Sequence, residues 1–153
     1  MAAKFREIWI INVYAPSGTV MNQERECFIN SEIPYLLTGE SGHILLGGDF
    51  NCILEASENA GGFTYNRALA ELVHDLALLD TWQGNPTRKV YTHYSASGAT
   101  RIDRIYATRD LLERKLCVEH CLRITSPYVY EYQLTYQVEN SMGTTITTER
   151  VLL

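Results

Sequence analysis

The run His43-Ile44-Leu45-Leu46 ends in Gly47-Gly48-Asp49-Phe50-Asn51 and continues as Cys52-Ile53-Leu54. An apolar strand that closes on two glycines, an aspartate and an asparagine constrains everything around it. It must cross a core and deliver polar groups where it leaves. Side chains two apart on a strand share a face, and neighbours face opposite ways. Asp49 and Asn51 are therefore placed to point into one pocket while Phe50 packs behind. A second reading stays open, because Gly, Asp and Asn also favour an Asx turn at a strand exit.

The segment before it supplies a partner strand. Ile8-Trp9-Ile10-Ile11-Asn12-Val13-Tyr14 is β-branched and aromatic, and Ala15-Pro16-Ser17-Gly18 closes it. Its near-continuous apolarity predicts burial on both faces. Asn22 is placed as a helix N-cap before Gln23-Glu24-Arg25-Glu26, and Phe28, Ile29, Ile33, Leu36 and Leu37 recur at helical spacing until Gly39. Strand, helix and strand in residues 8–50 make a βαβ-like unit of undetermined pairing direction.

Further along, residues 55–64 read as a polar loop, and Ala68, Leu69, Leu72, Val73 and Leu76 mark an amphipathic helix. Leu78-Leu79-Asp80-Thr81-Trp82 is a short strand or a helix exit, broken by Gly84-Asn85-Pro86. Tyr91-Thr92-His93-Tyr94 and Thr100 to Ala107 read as two strands joined across the small residues Ser95–Ala99. A short helix over 110–116 and a strand over 118–125 follow. Tyr128, Tyr130, Tyr132, Leu134, Tyr136 and Val138 alternate strictly with polar residues, which predicts an amphipathic strand. After the turn Asn140-Ser141-Met142-Gly143, the Thr-rich end pairs back on it. Trp9 and Trp82 are core candidates, His93 reads as structural, and His74 as an exposed helix residue.

With 153 residues, 46% hydrophobic and 20% charged, the chain suits one soluble domain with a real core. No apolar run is long enough to span a bilayer, and the first residues lack a signal-peptide layout. A net charge of −5 gives no global basic field for nucleic acid. Arg101, Arg104 and Arg109 make the best local basic cluster. Cys27, Cys52, Cys117 and Cys121 show no CxxC spacing and read as reduced thiols, which points to an intracellular protein, nuclear or cytoplasmic. Cys117, His120 and Cys121 match no closed zinc site.

Three stretches occur in one order: Asn12-Val13-Tyr14-Ala15-Pro16-Ser17-Gly18, Gly48-Asp49-Phe50-Asn51, and Arg101-Ile102-Asp103-Arg104-Ile105-Tyr106. Together they resemble the endonuclease/exonuclease/phosphatase superfamily, which includes DNase I-like and abasic-site nucleases. The nearest resemblance is to the endonuclease of LINE-type, non-LTR retrotransposons. Leu79-Asp80-Thr81-Trp82 and Tyr91-Thr92-His93 strengthen it. The likeness covers about residues 8–126 and corresponds to the C-terminal part of that domain, followed by a divergent Tyr-rich hairpin over 127–153. The expectation is a single partial domain with a truncated DNase I-like α/β sandwich, a mixed sheet and flanking helices.

The resemblance also implies a chemistry, Mg²⁺-dependent phosphodiester hydrolysis. Asp49 would orient or deprotonate the attacking water and weakly hold the metal. Asn51 would hydrogen-bond the scissile phosphate, and Tyr14 a non-bridging oxygen. Asp103 would hold a catalytic histidine. Ser17, which stands at a family asparagine, Thr92 and Arg101 would line the substrate.

Departures from the pattern limit that chemistry. The family's metal-binding Glu precedes the Tyr14 motif, where this chain has no matching segment. Where the family closes with Ser-Asp-His, this chain has Ser126-Pro127-Tyr128, and its last histidine is His120. The expectation is an impaired nuclease that serves as a protein-interaction or weak nucleic-acid-binding module. The alternative is an active endonuclease completed in trans by a second chain. A sheet without its partner sheet exposes an apolar face, so a homodimer or a protein partner is expected, with weak DNA binding and no membrane.

Overall fold

Alternation along Ile8–Tyr14 sets the architecture. In the computed structural model, which describes residues 1–5, 7–37, 42–58, 65–81, 91–96, 98–113, 123–126, 129–135 and 148–152, this segment is strand β2. Residues 1–108 form one compact unit and 109–153 another.

In the first unit, β1 (Ala2–Phe5) runs antiparallel to β2 (Ile8–Tyr14). A helical stretch follows, with a 3₁₀ turn (Thr19–Met21), α1 (Asn22–Cys27), a π segment (Phe28–Glu32) and α2 (Ile33–Leu36). Strand β3 (His43–Asp49) then pairs parallel with β2, which resolves the direction of the βαβ unit. After a 3₁₀ turn at Ala56–Glu58 come α3 (Arg67–Asp75) and β4 (Leu78–Asp80). A two-stranded ladder, β5 (His93–Ser95) with β6 (Gly98–Thr100), leads into β7 (Asp103–Thr108). The main sheet is mixed, with the order β1-β2-β3-β7-β4.

One face of this sheet carries the core. Ile11, Val13, Leu46, Phe50, Leu78 and Tyr106 meet Ile29 and Ile33 from the first helical stretch and Ala68, Leu69 and Leu72 from α3. Phe50 packs edge-on to Tyr106 with ring centres 5.6 Å apart. The start of α3 is capped by Asn66, whose Oδ1 accepts from Leu69 N at 2.8 Å.

Several local expectations change. Burial of β2 on both faces is incomplete: Ile11 and Val13 are closed off, while Ile8, Trp9 and Ile10 are half-buried. Trp9 lies outside the buried cluster, with Lys4 Nζ 5.3 Å from its ring centre. Asn22 is not an N-cap, because the chain already turns helically at Thr19 and the Asn22 Oδ1 accepts from Arg25 Nη1 at 2.7 Å. The strand expected over Thr100–Ala107 is divided at Arg101 and Ile102. On the second sheet face, Leu45, Ile105 and Ala107 are all buried.

The second unit contains α4 (Arg109–Glu113) and an antiparallel sheet of order β10-β9-β8, formed by β8 (Arg123–Ser126), β9 (Val129–Thr135) and β10 (Thr148–Leu152). Thr148 to Leu152 pairs back on Thr135 to Glu131, giving the expected terminal β-hairpin. Gly39, Trp82, Gly84-Asn85-Pro86, Cys117, His120, Cys121, Pro127, Tyr128 and the turn at 140–143 lie outside the described residues. Among the described residues, Cys27 is exposed and free, and burial pushes the Cys52 thiol up to about 11. Among the described residues no helix is long and apolar enough to cross a membrane.

Candidate active site at the ends of three strands

Register, rather than sequence proximity, assembles the site. Tyr14 stands opposite Asp49 across β2 and β3, and Asp49 opposite Asp103 across β3 and β7. A phenol and two carboxylates thus form a row at one end of three adjacent strands. The Tyr14 side is open, at 74% exposure. Gly48 makes the approach of β2 to β3 possible. Its φ is +135°, and a Cβ there would lie 2.0 Å from the Val13 carbonyl oxygen.

The turn after β3 is tightly tied. Asn51 N donates to Asp49 Oδ1 at 2.8 Å, and Asn51 Nδ2 donates to the Ala15 carbonyl at 2.8 Å. Ala15 N donates to the Asp49 carbonyl at 2.8 Å, and Phe50 N to the Ile102 carbonyl at 3.0 Å. The Asn51 amide also bonds the Asp49 carboxylate. Asn51 takes φ +50°, a conformation asparagine tolerates better than most residues. Its donors are therefore engaged with Ala15 and Asp49, rather than left facing a phosphate.

Burial raises the Asp49 carboxyl above its usual range, opposed by the Asn51 bonds and by the charges of His93 and Arg25. Asp103 is pushed up to about 6, first by burial and further by the neighbouring Asp49 charge. The Thr92 hydroxyl, His93 and Arg104 oppose that shift. The Asp49 charge thus disfavours ionisation of Asp103.

Thr92 is buried and acts on Asp103. Its Oγ1 accepts from Ile102 N at 3.1 Å and Asp103 N at 3.0 Å, so its hydrogen is left to bond the Asp103 carboxyl. Ser17 lies exposed in the loop after β2. Arg101, expected to line the substrate, turns inward. Its guanidinium bonds Asp80 twice at 2.8 Å and Glu58 at 3.1 Å. Arg104 is 1% exposed and bonds the Cys52 carbonyl and the other Glu58 oxygen. The expected basic cluster is in fact a buried ion network, because both arginines face acids brought in by β4 and the turn at Glu58. Only Arg109 of the three is exposed.

Two residues near the row were not assigned to the site from sequence. Arg25 is buried and holds the loop after β2, donating to the Pro16 carbonyl at 2.9 Å and the Gly18 carbonyl at 2.8 Å. Its place in helical register with Ile29 and Ile33 was the available signal. His93, read as structural, lies near enough to both Asp49 and Asp103 to favour their ionised forms.

The donor set does not fit a magnesium ion well. Mg²⁺ requires near-octahedral oxygen ligands. Here one Asp49 oxygen is engaged by Asn51, and Asp103 holds its proton up to about pH 6. Among the described residues, no group of three or more His, Cys, Asp or Glu is placed to hold a metal.

Solved structures share this fold. An AP endonuclease from Archaeoglobus fulgidus is similar with a TM-score of 0.62 and 21% identity, over 81% of this chain and 57% of the other. The 3′ phosphatase NExo from Neisseria, bound to a product DNA hairpin, is similar with a TM-score of 0.54 and 16% identity, over 74% of this chain and 53% of the other. The chain thus spans little more than half the length of either. No curated protein sequence matches it. The mixed sheet with flanking helices is the DNase I-like arrangement these neighbours share. The model of one family matches residues 21–124, from the first helical stretch through β7 into β8, and by that match the chain belongs to the endonuclease/exonuclease/phosphatase family.

Proposed function

We propose that this chain is a LINE-type, retroelement-derived nucleic-acid phosphodiesterase domain with a reduced site. It corresponds to the C-terminal part of the family domain and hydrolyses a phosphate diester slowly on its own. The observation that carries this reading is the row of Tyr14, Asp49 and Asp103 across β2, β3 and β7. The exposed Tyr14 phenol donates to a non-bridging phosphate oxygen, where negative charge grows in the transition state. Asp49, held by Asn51 N–H and amide, accepts a proton from the attacking water.

Turnover is weak because several donors are engaged elsewhere. Asn51 serves Asp49, and Arg101 and Arg104 serve Glu58 and Asp80. Removing one transition-state donor typically lowers the rate by about 10²–10³. Enzymes of this family generally depend on a divalent metal. A second chain that adds a carboxylate beside Asp49 would complete the site in trans.

A nicking assay on supercoiled plasmid with Mg²⁺, comparing the chain with Asp49→Ala, tests the reading. Slow nicking that falls by about 10² or more in the variant is expected. Equal background in both refutes catalysis. It would instead select a second reading, a protein-interaction module without turnover. The enclosure of Arg101 and Arg104 favours that second reading, because phosphate affinity rests on accessible cations.

A further inference from the structure

His93 opens β5 immediately after Thr92. Thr92 is fixed on three sides, by its N–H to the Thr100 carbonyl at 2.9 Å and by the Ile102 and Asp103 amides on its Oγ1. That clamp ties the start of β5 to the very residue that carries the second carboxylate. His93 then pairs with Thr100 across the ladder, and its side chain is exposed. The imidazole therefore stands at the rim of the Asp49–Asp103 row, attached through one residue to Asp103.

The neighbouring donors narrow the choice. Asn51 is engaged with Ala15 and Asp49, and Arg25 with Pro16, Gly18 and Asn22. Arg104 faces Cys52 and Glu58. Tyr14 and His93 keep their side chains open to solvent. A phenol ordinarily holds its proton until well above neutrality, whereas an imidazole both gives and takes one near neutral pH.

We propose that His93 is the proton-transferring residue of this site, the acid that protonates the leaving oxygen of a phosphate diester held at Tyr14 and Asp49. The inference rests on the phosphodiesterase reading above. In the step, a water oxygen bonds to phosphorus and Asp49 takes one proton from that water. The phosphorus–oxygen bond to the leaving alkoxide breaks, and the His93 imidazolium passes its proton to that oxygen. The products are a phosphomonoester and an alcohol. The proton on Asp49 then returns to His93 through solvent, which restores both groups.

Leaving-group dependence tests this. Plasmid nicking expels an alkoxide that needs a proton, whereas the p-nitrophenyl ester of thymidine 5′-monophosphate expels a phenolate that does not. His93→Ala is expected to lose about 10²–10⁴-fold on plasmid and less than about threefold on the aryl ester. His93→Gln, which keeps a hydrogen-bonding side chain without acid–base chemistry, is expected to behave the same way. An equal loss on both substrates, or no loss on plasmid, overturns the role of His93. If aryl ester hydrolysis still depends on Asp49 in that case, the phosphodiesterase reading survives. Absence of hydrolysis of either substrate by the unmodified chain overturns both.

Discussion

Replacing Asp103 with Asn is expected to stabilise the protein, and to do so only above acidic pH. The carboxyl is pushed from 3.8 to about 6 in the folded chain. Because the folded state binds this proton more tightly than the unfolded one, the group's contribution is complete below 3.8 and is lost as pH rises through 6. A rise from 3.8 to about 6 corresponds to roughly 3 kcal/mol. Asparagine keeps an oxygen for the Thr92 hydroxyl and removes the repulsion from Asp49. It also gives up attraction to His93 and Arg104, so 3 kcal/mol is an upper value. Asp103→Asn should thus gain up to about 3 kcal/mol at pH 8, and the gain should shrink toward zero by pH 4. Urea unfolding of both proteins at pH 8, 6 and 4, followed by tryptophan fluorescence, measures it. A gain independent of pH, or a loss at pH 8, would refute the account of a carboxyl raised by burial and by Asp49.

The ion network and the strand approach give two further tests. Glu58→Ala leaves the Arg101 and Arg104 guanidinium groups without a shared acid and should destabilise by about 3–5 kcal/mol; a change in urea midpoint equivalent to less than about 1 kcal/mol would mean the network is solvated. Gly48→Ala puts a methyl group 2.0 Å from the Val13 carbonyl oxygen in a left-handed backbone. That variant should fail to give soluble folded protein, and a native circular dichroism spectrum from it would show that β2 and β3 can part.

Much of the fold was legible because its signals are local. A β-branched, aromatic run marked β2, alternation marked β9, the strand ending in glycines marked β3, and helical spacing marked α3. What escaped depends on partners far along the chain. Arg101 leaves the expected strand because Glu58, 43 residues earlier, and Asp80, 21 residues earlier, draw its guanidinium inward. Arg104 shares a strand face with the buried Tyr106, a signal the basic-cluster reading did not use, and nothing local identified Glu58 as its counter-ion. A local basic cluster in sequence became a buried network because its acids arrive from other elements.

The Asx turn, one of the two readings open in the sequence, forms at the strand edge that carries Tyr14, Asp49 and Asp103. The bond from Asn51 N to Asp49 Oδ1 closes the turn, and the same bond holds the Asp49 carboxylate beside Asp103. The consequence falls on Asn51. A side chain that bonds Ala15 and steadies Asp49 is a positioning residue, and its amide is not free for phosphate. On the proposed phosphodiesterase reading, phosphate contact then falls to open groups such as Tyr14 at the end of β2 and His93 at the start of β5. One carries a phenol and the other an imidazole, the side chain that most often serves as a general acid or base. On that reading the division of labour at this edge follows from which hydrogen-bonding groups the turn has already engaged, and the histidine beside Thr92 is the residue whose replacement tests it.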